Sequence, residues 1–128
     1  MIRYVPFSGT TFLANTSQVK TFRYLGNPAD PTDYIESLML WGNVNVGTGA
    51  ERVQVQVFNS VDGTSWQKVR VRSWSGTATG VVRTSCSITA DVTGPVCRAQ
   101  DTLAEYHKIR VKNSGANPAV VTLIAYGR

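Results

Sequence analysis

Residues 37 to 46 read SLMLWGNVNV and residues 51 to 59 read ERVQVQVFN. In the first run Leu38, Leu40, Val44 and Val46 keep to one parity, and in the second Val53, Val55 and Val57 alternate with Arg52, Gln54 and Gln56. A repeat of two is that of a strand whose successive side chains point to opposite faces, so each run has one dry and one wet side. GTGA between them fits a turn, and the pair is expected to form an antiparallel hairpin.

The pattern extends in both directions. QVKTFRY (18 to 24) alternates Val19, Thr21 and Arg23 with Lys20, Phe22 and Tyr24, and LGNPADPTD then breaks any ladder with two prolines and a Gly-Asn pair. WQKVRVRS sets Val69 and Val71 inward against Lys68, Arg70 and Arg72, while VVRTSCSITADV places Val82, Cys86, Ile88 and Val92 on one side. HKIRVKN and AVVTLIAYG flank SGANP and read as a terminal hairpin. Only AQDTLAEYHK has room for a short helix, and it reads equally as a loop leading into a strand. Seven or eight short strands define an all-β chain, an antiparallel β-sandwich of jelly-roll or immunoglobulin-like type. Residues 17 to 128 are expected to form one domain, with residues 1 to 16 an edge strand or an arm reaching to a neighbouring molecule.

A chain of 128 residues is ordinarily one domain and buries roughly two-thirds of its extended surface on folding. Charged residues make up 16%, against about 25% in an average soluble protein, so the surface leans on Ser, Thr, Asn, Gln and Gly. The net charge of +5 favours an acidic partner: nucleic acid, anionic lipid or an acidic protein surface. MIRYVPFSGTTF lacks the apolar core of a signal peptide, and no stretch approaches the ~18 apolar residues of a membrane span. Synthesis in the cytoplasm and no membrane partner are therefore expected. In that compartment Cys86 and Cys97 are expected to be reduced and to pack as small hydrophobes, with a disulfide across their 11-residue separation as the alternative. Two cysteines and one histidine without ligand spacing point to no metal site, and no cofactor is implied.

Catalysis needs convergent groups, and few are present. His107 shares a strand face with Ile109 and Val111, which is a packing position rather than that of a general base. Neither cysteine sits in a nucleophile motif, the eight acidic residues are scattered through turns, and glycine-rich phosphate loops are missing. The expectation is a protein that is not an enzyme.

Three kinds of binding remain. Lys68, Arg70 and Arg72 project from one run and Lys108, Arg110 and Lys112 from another, so six cations would share a face if both runs lay in one sheet. Nucleic acid is then conceivable but not favoured, because neither basic run interleaves the aromatics on which bases stack. A solvated outer face is the plainer reading. Trp41, Trp66 and Trp74 raise carbohydrate binding, although a tryptophan at a strand end more often caps a core. In NSVDGTSWQKV (59 to 69), Asp62-Gly63 supplies the positive φ of a tight turn, Ser60, Thr64 and Ser65 satisfy its backbone, and Trp66 folds over the sheet end.

VQVQVF, then NSVDGTSWQKV, then YHKIRVKNSGANPAVVTLIAYG together resemble small β-sandwich structural proteins of tailed bacteriophages, notably capsid decoration or cement proteins. They are more weakly similar to discoidin-like carbohydrate-binding modules. The shared pattern is an S-x-DG-x-x-W hairpin, a penultimate R-V-x-N strand (Arg110 to Asn113) and a final apolar strand (Val120 to Tyr126), covering about residues 51 to 128. A chain opening on Met1 with no export signal fits the phage group better than the exported modules. The resemblance implies a virion protein on the capsid surface, made in the host cytoplasm. It would bind the major capsid protein as a dimer or trimer and stabilise the mature shell. Such a protein works by mass action, since a ligand specific for the mature lattice stabilises it at every site it occupies. Lys68, Arg70, Arg72, Lys108, Arg110 and Lys112, or an N-terminal arm with Arg3, Tyr4 and Phe7, are then the expected contacts. The alternative is a sugar-binding sandwich of a tail or fibre, with Asp62 and Trp66 at the glycan.

Overall fold

Alternation dictates which side of a strand is buried, and there the structure follows the sequence. Leu38, Leu40, Val44, Val46, Val53, Val55 and Val57 are all buried in one apolar core. The structure, a computed structural model, describes residues 2–27, 29–30, 33–46, 53–74, 82–100 and 102–128. The GTGA turn, Arg52 and most of the loop after Trp74 lie outside the described residues.

Among those residues two antiparallel sheets pack face to face and no helix occurs. Sheet A is ordered β1 (Ile2–Phe12), β11 (Ala119–Gly127), β3 (Ser37–Asn45), β9 (Val92–Gln100), β6 (Val71–Ser73) and β7 (Val82–Arg83). Sheet B is ordered β2 (Thr16–Arg23), β10 (Tyr106–Asn113), β4 (Val53–Ser60) and β5 (Gln67–Lys68), with β8 (Cys86–Ile88) also paired to β4. The first strand lies beside the last, the second beside the penultimate, and the chain changes sheet at nearly every step. That is jelly-roll connectivity; an immunoglobulin sandwich would keep several consecutive hairpins within a sheet.

Both long hairpins expected from the sequence are therefore corrected. β3 and β4 belong to opposite sheets, and so do β10 and β11. Alternation says which side of a strand faces the core but not which strand lies next to it, and a strand facing the core from either sheet carries the same pattern. The short runs divide in the same way. After Lys68 the Val69 amide still bonds the Val57 carbonyl in sheet B, but Arg70 accepts from Gln100 and Val71 opens β6 in sheet A. These crossings split two expected runs in two, and with β9 the seven or eight expected strands become eleven. Val82, expected inward, is exposed on the two-residue edge strand β7. Of AQDTLAEYHK, Ala99 and Gln100 end β9, Ala104 and Glu105 form a bend and Tyr106 opens β10, while Asp101 lies outside the described residues.

Residues 2–12 are not a free arm but a strand hydrogen-bonded to β11, with Phe7 and Phe12 in the core, ring centroids 5.3 Å apart. Register shifts on either side of Phe7 interrupt this edge strand, a device that discourages pairing with another chain. β1 turns into β2 through Asn15 at φ 56°, and the buried Asn113 holds that corner. Its amide donates to the Phe12 carbonyl at 3.0 Å and the Asn117 carbonyl at 2.8 Å, and its oxygen accepts from Gly115. Removing such a side chain strands buried carbonyls, at a cost of about 1–3 kcal/mol each. Buried Thr102 likewise donates to the Ile35 carbonyl at 2.8 Å. At the centre of sheet A, Gly42 leaves β11 room to approach, since a Cβ there would collide with the Thr122 carbonyl.

Candidate functional site

Registry across the sheets assembles two outer faces of different chemistry. On sheet A one row crosses all six strands: Arg3, Tyr126, Met39, Arg98, Arg72 and Val82. The next row aligns Ile124, Trp41 and Pro95, with Val5 at the β1 bulge opposite Ile124. Trp41 is 46% exposed and Trp74, whose amide bonds the Val96 carbonyl, is 40% exposed. With the exposed Val5 and Val82 they add to the apolar area that this face shows to water, the kind of area found where proteins bind.

The outer face of sheet B carries lysines on rings. Lys108 lies between Thr21 and Phe58, with Lys68 beyond Phe58; below it Arg110 lies between Val19 and Gln56, and Lys112 between Ser17 and Gln54. Arg110 donates to Gln56 at 2.9 Å. The Lys108 ammonium sits 4.7 Å from the Phe58 ring centroid and 4.5 Å from that of Trp66. Above it the Arg23 guanidinium lies 5.1 Å from the Tyr106 ring and pairs with Glu105 at 2.8 Å. Such contacts are worth about 0.5–1 kcal/mol each at exposed sites, enough to hold a long side chain in place. Among the described residues no acidic side chain lies in the rows of either face.

Four of the six expected cations thus share one face: Lys68, Lys108, Arg110 and Lys112. Arg70 and Arg72 leave it, because the chain crosses to sheet A between Lys68 and Val71. Arg72 instead joins Arg3 and Arg98 on the other face. Phe7 is 1% exposed and cannot touch a partner. Tyr4 packs on Phe22 with ring centroids 4.5 Å apart and donates to the Thr21 carbonyl, tying the two edge strands together. Reading along single strands missed Arg23, Phe58 and Tyr106 on sheet B, and Met39, Arg98 and Tyr126 on sheet A. Their grouping is set by strand neighbours, and only the alternation of outward positions on each strand hinted at it.

The Asp62-Gly63 motif is the bend of the β4–β5 hairpin. Asp62 accepts from the Thr64 amide at 2.8 Å, the Ser65 amide at 2.9 Å and the Ser60 hydroxyl at 2.9 Å. The Ser65 and Thr64 amides and the Ser60 hydroxyl hold its carboxyl below the usual carboxylate value. Gly63, at φ 78°, packs on Tyr106, where a Cβ would lie 3.1 Å from the ring. A carboxylate committed to its own turn and a tryptophan capped by an ammonium make a weak sugar site.

Two inward groups complete the picture. His107 is buried and stacked on Phe22 at 4.9 Å, and neither ring nitrogen meets a partner with hydrogen-bond geometry. Burial pushes it down to about 4, against a smaller opposing pull from the Ala104 backbone. Cys86 and Cys97 are buried free thiols. The Cys97 thiol lowers Cys86 to about 7, against burial and with help from Ser73, whose hydroxyl is 3.2 Å away; holding that proton raises Cys97. Among the described residues no cluster of His, Cys, Asp and Glu could hold a metal ion. In comparison with known proteins, no family model matches the chain and no curated sequence matches it significantly.

Proposed function

We propose that the chain is a non-enzymatic structural protein of a tailed-phage virion that binds the outside of the capsid and stabilises the mature shell. The outer face of sheet A is its docking surface. One observation carries the reading: Trp41, Tyr126 and Met39 lie among Arg3, Arg98 and Arg72 on the outer face of sheet A, with no acidic side chain in these rows among the described residues. Trp, Tyr, Met and Arg are the residues enriched where proteins meet, whereas Lys is depleted there. A depression of about 300 Å³ lined by Ser37, Met39, Arg98, Tyr126 and Arg128 opens on this face, and a partner side chain could anchor there beside the exposed Trp41.

Size supports an oligomer. Six strands at about 4.8 Å, by the roughly 20 Å from Met39 to Asn45, project about 500 Å². A standard interface buries about 800 Å² on each partner, so one such face binds weakly and several joined copies bind tightly. The jelly-roll connectivity agrees with the resemblance, since capsid and lectin domains use it, although fold alone does not determine function. The sugar-binding alternative at Asp62 and Trp66 has less support, because both side chains are engaged within the hairpin and with Lys108.

The test is sedimentation of the native source with the protein counted by mass spectrometry in particle and soluble fractions. Hundreds of copies on DNA-filled particles, lost in a Trp41→Ala variant that still folds, are expected. A few copies per particle would place the protein in a tail or fibre, and absence from particles would end the virion reading.

A further inference from the structure

We propose that the outer face of sheet B is a second binding surface, for single-stranded nucleic acid, independent of docking through sheet A. Lys108, Arg110 and Lys112 occupy successive outward positions of β10, about 7 Å apart, a spacing comparable to that of phosphates along an extended strand. Lys68 widens this track by standing two strands away from Lys108 in the same row. Its charge is of one sign and flexible Lys and Arg stems deliver it, as a phosphate backbone requires.

At the upper end of the track lies an open depression of about 520 Å³, lined by Thr21, Arg23, Trp66, Tyr106 and Lys108 among others. It brings together the two elements of a single-strand site, rings and cations, with Lys108 on Trp66 and Arg23 on Tyr106, so an incoming base meets a ring shared with a cation and its phosphate meets that cation. The cations come mainly from β10, while the rings come from β4, from the turn before β5 and from Tyr106 at the start of β10. Phe58 and Trp66 also hold the Lys108 ammonium between them, so the central cation is placed before any ligand arrives. Duplex DNA is a poorer fit, because its bases are stacked and paired inside the helix, where the rings of this face would reach none of them.

The experiment titrates the full chain with a fluorescein-labelled 12-nucleotide oligo-dT across a salt series, with duplex DNA of the same length and heparin as comparison probes. Four cations without an acidic partner predict a log–log salt slope of about −3. Arg110→Gln with Lys112→Gln, solvated changes that leave the core alone, should flatten it by about 1.4. Trp66→Ala should weaken binding about tenfold at fixed salt with the slope unchanged. No saturable binding at 50 mM salt would overturn the proposal. So would heparin or duplex binding as tight as oligo-dT, which would mark a surface that reads charge alone. Trp41→Ala should leave oligo-dT binding intact, so failure here and failure of shell docking are separately visible.

Discussion

The two outer faces are built on the same architecture and carry the same sign of charge, yet they differ in how the cations meet the rings. On sheet A the arginines flank Trp41, Met39 and Tyr126, and Trp41 stays open to solvent. On sheet B the cations lie on the rings, Lys108 between Phe58 and Trp66 and Arg23 over Tyr106. An open ring offers apolar area to whatever covers it, whereas a capped ring gives much of that area to positioning a charge. The same residue types therefore yield a surface suited to protein in one case and to an anion in the other.

The largest effect expected is one that destroys the contrast. Gly42→Ala drives a methyl into the Thr122 carbonyl at the middle of sheet A, and should cost about 4 kcal/mol in denaturant unfolding, removing both faces together. Next comes acidification, which acts beneath sheet B. The folded value of His107, about 4, lies below the ordinary 6.5, so as pH falls the unfolded chain takes up the proton first. The stability it contributes is complete above pH 6.5 and is lost as pH falls towards 4, by at most about 3 kcal/mol. Urea midpoints across that range should show the loss, and His107→Phe, which keeps the stack on Phe22, should flatten it. The depressed Asp62 carboxyl acts in the same direction at the acid end of this range, and the His107→Phe comparison separates the two.

Smaller effects separate the faces. Trp41→Ala should weaken shell docking by about 2 kcal/mol, roughly thirtyfold, without lowering the unfolding midpoint. Equal loss of oligo-dT binding would mean that the faces are not independent. Smallest in stability is Glu105→Gln, which breaks an exposed ion pair and should shift unfolding by no more than about 0.5 kcal/mol. It frees Arg23 for the sheet B face, so the oligo-dT slope should steepen by about 0.7. An unchanged slope would place Arg23 outside the site.

Much of the fold was legible because burial follows alternation, and alternation is local. Leu38 to Val46, Val53 to Val57 and Ile109 with Val111 could each be placed inward from their own runs. Strand neighbours could not, since the core demands the same pattern of β3 and β4 whether they pair or lie in opposite sheets. β9 escaped notice because Gly94 and Pro95 interrupt its pattern, at the point where its register with β3 shifts between Leu40 and Trp41. The candidate sites inherit that limit. Lys108 was visible as a surface cation, but Phe58 and Trp66 reach it from other segments, and Arg72 was grouped with Lys68 only because the crossing at Val69 and Arg70 breaks no sequence rule.

The pairing of Ile2 with Gly127 also bears on how the molecule is made. β11 is inserted between β1 and β3, and β10 between β2 and β4, so sheet A joins up only once β11 has been made and sheet B only once β10 has. Among the described residues the β4–β5 hairpin and the β6–β7 pair are close local pairings, and the long-range closures that follow are the slow kind. Until β11 and β10 are available the chain carries β1 and β2 without a sheet partner, an exposure of the kind that chaperones cover.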